Sequence, residues 1–74
     1  MNIRLTKLKQ RVAAKITAIE SEEVLARLVE LGIMPGVFLS VQNKAPFNGP
    51  LAVLVNGTKI IIRKKDAYFI LLEA

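Results

Sequence analysis

The block Leu31-Gly32-Ile33-Met34-Pro35-Gly36 constrains this chain more than any other, because it forbids a helix from continuing and dictates how the backbone leaves it. Gly32 stands where a left-handed residue closes a helix, with Ile33 or Met34 available for the apolar contact that accompanies such a cap. Pro35-Gly36 suits the central pair of a type II turn, since proline presets φ and glycine accepts the positive φ that follows. Upstream, Ser21 offers an N-cap oxygen, and Glu22 and Glu23 put negative charge at the positive end of the helix dipole. Val24, Leu25, Leu28 and Leu31 recur at helical spacing, which predicts a helix of about three turns. Beyond the turn, the chain re-emerges as a strand.

Period-two patterning accounts for most of the rest. Val12 to Ile19 alternates imperfectly, with Val12, Ala14 and Ile16 on one side, and Val37, Leu39 and Val41 alternate with Phe38, Ser40 and Gln42. Residues 43–50, rich in Asn, Pro and Gly, read as a loop. Leu51 to Val55 and Lys59 to Arg63 then flank Asn56-Gly57-Thr58, and Asn-Gly is the strongest short hairpin signal because both residues tolerate positive φ. Lys64 to Ala67 is long enough for one helical turn, and Tyr68 to Glu73 forms a closing strand. The predicted fold is mostly β with one helix, five short strands curling into a small barrel, as a single domain over residues 1–74.

Size and composition bound the chemistry. A chain of 74 residues has room for one modest core, and its 53% apolar content is enough to offset chain entropy. The sequence contains neither cysteine nor histidine. That excludes a disulfide framework, soft zinc or iron-sulfur ligation and an imidazole general base. Glu22 and Glu23 are adjacent and diverge on the helix, while Asp66 and Glu73 are solitary, so neither a carboxylate pair for catalysis nor a metal site is expected and the chain reads as no enzyme. No apolar run approaches the roughly 20 residues that span a bilayer. The opening residues are broken by Lys7, Lys9 and Arg11, which predicts a cytoplasmic address. The net charge of +5 is weighted to the N-terminal end, where Arg4, Lys7, Lys9, Arg11 and Lys15 all precede the first acid, Glu20. Such a cluster suits phosphates, anionic lipid or an acidic protein face, or simply keeps a small domain soluble.

The segment Arg27-Leu28-Val29-Glu30-Leu31-Gly32-Ile33-Met34-Pro35-Gly36 resembles the signature of the FeoA family. The loop Ala45-Pro46-Phe47-Asn48-Gly49-Pro50-Leu51, Ile62-Arg63-Lys64 before Ala67, and the apolar closing strand add to it in the same order along the chain. The resemblance implies an SH3-like barrel. It also implies a small cytosolic accessory protein of bacterial ferrous iron uptake, acting on FeoB, a membrane protein with a G-protein-like domain that moves ferrous iron. The same module resembles the C-terminal domain of iron-dependent repressors of the DtxR kind. An association with Fe2+ handling comes with the family, direct binding being expected to be weak, with no resident cofactor and membrane contact only through the partner.

Contact residues are sought on the outside. Phe38, Leu54, Ile61, Phe69 and Leu71 fall opposite the positions assigned inward, and the part the helix does not cover offers a face for FeoB or for a second copy of the chain. Leu28, inside the signature, is a further candidate although a leucine stripe is usually core. Met34 at the turn, Phe47 at a loop tip, and Arg63, Lys64 and Lys65 complete the partner-binding set, with Gly32, Pro35, Gly36, Asn56 and Gly57 as the structural motif. A small basic barrel binding nucleic acid is the alternative. It is disfavoured because the four aromatics, Phe38, Phe47, Tyr68 and Phe69, form no stacking platform alternating with lysine or arginine.

Overall fold

A computed structural model describes residues 2–73; Met1 and Ala74, at the limits of the expected domain, lie outside the described residues. Six strands form one antiparallel sheet: β1 (Asn2–Arg4), β2 (Ala13–Ile19), β3 (Phe38–Lys44), β4 (Leu51–Val55), β5 (Thr58–Ile62) and β6 (Ile70–Glu73). Their spatial order is β1-β6-β2-β3-β4-β5, so the sheet curls like a barrel without closing, and β1 and β5 remain as edges. Helix α1 (Glu22–Val29) links β2 to β3, and a single turn, α2 (Lys64–Ala67), links β5 to β6. The mostly β, one-helix architecture matches the sequence expectation, with β1 as a sixth strand beyond the five expected.

Local chemistry sets α1 as anticipated. The Ser21 side-chain oxygen accepts from the Val24 N–H at 3.2 Å, satisfying one otherwise orphaned donor. At the other end Gly32 has φ +84°, its N–H donates to the Val29 carbonyl at 3.0 Å, and the Ile33 N–H reaches back to the Leu28 carbonyl at 3.1 Å. This is a Schellman cap, and Ile33 supplies its apolar contact, since Ile33 and Leu28 are both buried in the core. The helix is shorter than expected because its last turn tightens, with the Leu31 N–H donating to the Leu28 carbonyl at 2.9 Å; Leu31 is thereby left exposed. The Pro35-Gly36 turn closes with a 3.2 Å bond from the Val37 N–H to the Met34 carbonyl, and Gly36 takes φ +97°. Two short bonds, Gly36 N–H to Ile16 O at 2.7 Å and Ile16 N–H to Val37 O at 2.8 Å, fasten this turn to β2.

The core lies inside the curled sheet, with Ile16, Leu39, Val41, Leu51, Val53 and Leu72 all buried. Each such side chain contributes about 1.5–3 kcal/mol relative to an exposed one. Leu5, the first residue of a short 3₁₀ turn (Leu5–Lys7), and Leu8 just after it are buried with the same core. Three expectations change. Val12 is exposed and outside β2, because Arg11 takes φ +66° and breaks the strand before Ala13. Asn43 and Lys44 belong to β3, lengthened past a bulge between Val41 and Asn43. Phe69 precedes β6 and packs partly against the core, and Leu71 is half-buried, so neither is a free outward residue.

Candidate functional site

Two surfaces stand out, and both follow from the sheet register. On the outer face of β3, β4 and β5, Ser40 lies opposite Leu54 and Ala52 opposite Ile61, which sets Phe38 and Ile61 on the two diagonals from Leu54. Phe38 and Ile61 are each 61% exposed and Leu54 38%. The result is an apolar diagonal across three strands, bordered by Lys15 opposite Phe38 and Lys59 opposite Leu54. A groove of about 260 Å³ between α1 and β5 continues it, with Leu31 and Ile61 among its walls. Arg27 and Asp66, paired at 2.9 Å, fix α1 to α2 at that groove.

The second surface surrounds the β3–β4 loop. The Gly49 N–H donates to the Pro46 carbonyl at 3.1 Å, and the two central residues of that turn, Phe47 and Asn48, have φ +57° and +60°. Positive φ at both central positions is the type I′ pattern, which glycine, asparagine and aspartate adopt readily and phenylalanine does not. Gly49 is required by space, because a Cβ there would lie 2.7 Å from the Ala45 Cβ. Phe47 is thus held at the apex in a costly conformation and is 99% exposed. Asn48 accepts a 2.8 Å bond from Lys64 Nζ, tying the loop to α2.

Below this apex lies an open groove of about 710 Å³ whose walls include Arg4, Lys7, Asn48, Lys64, Lys65 and Tyr68, adjoined by a second of about 350 Å³ that adds Arg63. No carboxylate lines either. Arg4 is neutralised by Glu20 at 2.8 Å, donates to the Tyr68 carbonyl at 2.9 Å and stacks 4.2 Å from the Tyr68 ring centroid. Hydrogen bonding to Glu20 holds the Arg4 guanidinium above its ordinary pKa. Lys44 Nζ donates to the Thr6 carbonyl at 3.1 Å, and Thr6 also lines the larger groove, so Lys44 borders the same face.

Of the residues singled out from the sequence, Phe47, Arg63, Lys64 and Lys65 are exposed together on this basic face, and Met34 is half-buried at its turn away from these linings. Leu28, 5% exposed, packs in the core beneath the helix cap and shows only an edge in the groove between α1 and β5. Asn56 and Gly57 take φ +51° and +79° in the β4–β5 hairpin as their sequence demands. Arg4 and Lys7 stood out in the sequence only as members of the N-terminal basic cluster, while Lys44 and the Arg4–Tyr68 pair had no local signal, because their contacts span 38 and 64 residues. Among the described residues no group of three or more carboxylates converges as a metal site would need.

The model for the FeoA domain matches residues 3–74. The chain belongs to the FeoA family. A FeoA protein from Chlorobium tepidum is 32% identical over 96% of this chain and 69% of its own, with a TM-score of 0.86. Stenotrophomonas maltophilia FeoA, solved in complex with zinc and described as a prokaryotic SH3 domain protein and candidate ferrous iron transport activating factor, is 24% identical over 96% of this chain and 89% of its own, at a TM-score of 0.81. At that identity the likeness is one of fold, and the SH3-like class follows from it. The FeoA fold also matches T. acidophilum IdeR, 27% identical over 99% of this chain and 34% of that one, with a TM-score of 0.84. No curated protein matches the sequence. Neither of the two surfaces includes a helix long and apolar enough to cross a membrane, and there is none among the described residues.

Proposed function

We propose that this FeoA-family chain is a non-catalytic module on the cytosolic side of bacterial ferrous iron uptake, docking on the cytosolic part of the transporter FeoB and modulating it. The observation that carries the reading is the apolar diagonal Phe38–Leu54–Ile61, uncovered on the outer sheet face of a chain whose family is a transport accessory one. A contiguous apolar centre with a polar border is what a protein interface uses, and here the border is Lys15 and Lys59, which favour an acidic rim on the partner. The zinc-bound relative keeps a weak association with divalent transition metal in view, but docking needs no metal.

Calorimetry with the FeoB cytosolic domain tests this. Phe38→Ser and Ile61→Ser each remove an exposed anchor without touching the core, so each weakens binding about tenfold or more while the thermal midpoint stays within a few degrees. Wild-type affinity in both variants, or no measurable binding by the parent chain, overturns the reading.

A further inference from the structure

The basic face is a different kind of surface from the apolar diagonal. Phe47 is a single aromatic finger at the loop apex, and beside it the larger groove sets the rings of Tyr68 and Phe69 among cationic side chains. Lys7, Lys44, Arg63, Lys64 and Lys65 border or line the two grooves, and none of the five is in an ion pair among the described residues. None of the six acidic residues lines either groove: Asp66 is engaged by Arg27 and Glu20 by Arg4, Glu22, Glu23 and Glu30 belong to α1 and its cap, and Glu73 ends β6 between β1 and β2. Tyr68, half-exposed in the larger groove, adds an amphipathic ring with a polar hydroxyl end and an apolar body.

We propose that this face binds directly to an anionic phospholipid bilayer, Phe47 entering the interfacial layer while the five cations lie over the headgroups. A lone apolar tip with basic residues around it fits a fluid, deformable plane: aromatic rings favour the water–lipid boundary, and each juxtamembrane cation adds attraction to acidic lipid. The strained I′ turn holds Phe47 at the apex without any intramolecular contact that would reward it, so its function is to meet something outside the molecule. Protein interfaces are depleted of lysine, whereas this face sets Lys7, Lys64 and Lys65 around its rings, which suits a layer of anionic headgroups instead. Lipid binding rests on Phe47 and the lysines and not on Phe38, Leu54 and Ile61, Arg63 alone lining grooves of both surfaces.

The test is cosedimentation of the full chain with vesicles of phosphatidylglycerol and phosphatidylcholine, against vesicles of phosphatidylcholine alone. The parent chain partitions onto the anionic vesicles at low salt, is released as ionic strength shortens the screening length, and ignores the neutral ones. Lys7→Glu combined with Lys65→Glu, neither of which disturbs the Lys64–Asn48 bond, weakens partitioning by about 25-fold or more, taking roughly fivefold per lost cation. Phe47→Trp, in a chain otherwise free of tryptophan, shifts its emission to shorter wavelength on the anionic vesicles. No partitioning onto anionic lipid, equal partitioning onto both compositions, or an indole emission in the Phe47→Trp variant that stays that of water while the chain is bound each overturns the proposal. So does retention of the same lysines' effect only in FeoB or nucleic-acid binding. The Phe38 and Ile61 variants keep vesicle binding, which separates a failure here from a failure of the docking reading.

Discussion

Phe47 offers an unusual expectation, that removing it stabilises the protein. A non-glycine residue in the left-handed region costs roughly 1–2 kcal/mol, and asparagine, whose side chain bonds locally, is largely spared. The ring is 99% exposed, so its loss forfeits almost no buried area to set against that relief. Phe47→Asn converts the turn into Asn-Asn with Gly49 after it, keeps the 3.1 Å Gly49–Pro46 bond, and should gain about 1 kcal/mol. For a domain of this size that is a rise of about 4–8 °C in thermal midpoint. Phe47→Ala serves as control: alanine has no special tolerance for positive φ, so its midpoint stays close to that of the parent. Circular dichroism melts of the three chains, with urea titrations to verify equal m-values, give the comparison. If Phe47→Asn melts at or below Phe47→Ala, the backbone at the apex is not strained, and the idea that the turn stores cost for the sake of the ring is refuted. The same Asn variant is expected to lose vesicle binding, a trade of function for stability.

Two further outcomes are expected. Leu28→Ala empties a core position beneath the Schellman cap and costs about 2–5 kcal/mol in urea denaturation, where a surface contact residue would leave stability unchanged. Gly49→Ala forces a Cβ to within 2.7 Å of the Ala45 Cβ and costs about 1–3 kcal/mol, localised by amide exchange to the β3–β4 loop and leaving the β4–β5 hairpin protected.

What the sequence made legible was chemistry confined to a few neighbouring residues. The Ser21 cap, the Gly32 and Pro35-Gly36 stops and the Asn56-Gly57 hairpin are local arrangements, and each occurs where its residues stand. Strand β1 was invisible because three residues with two polar side chains have no period of their own; they are a strand because Leu71, Leu72 and Glu73 pair with them from the far end of the chain. Leu5 and Leu8 were hidden for a related reason, sitting among lysines in a segment that reads as a basic arm until the core they join exists. Bulges explain the errors of facing: between Ile16 and Ala18, and between Val41 and Asn43, the alternation slips, so a pattern followed from one end points wrongly beyond them. Of the candidate surfaces, Phe47 with Arg63, Lys64 and Lys65 could be nominated from residue type alone. That Lys7 and Lys44 belong with them, and that Leu28 is core with only an edge in the α1–β5 groove, depended on long-range packing.

The open sheet leaves one more physical demand on the molecule. Strand β5 is an edge, and it contains Ile60, Ile61 and Ile62 in succession, a run whose β-branched side chains and unpaired amides invite templated stacking into fibrils. Lys59 precedes the triplet and Arg63, Lys64 and Lys65 follow it, so a growing stack would bring like charges into register at both ends. Colloidal persistence at high protein concentration therefore rests on the same side chains that give the neighbouring face its sign, and neutralising them would expose an isoleucine ribbon with nothing left to repel its own kind.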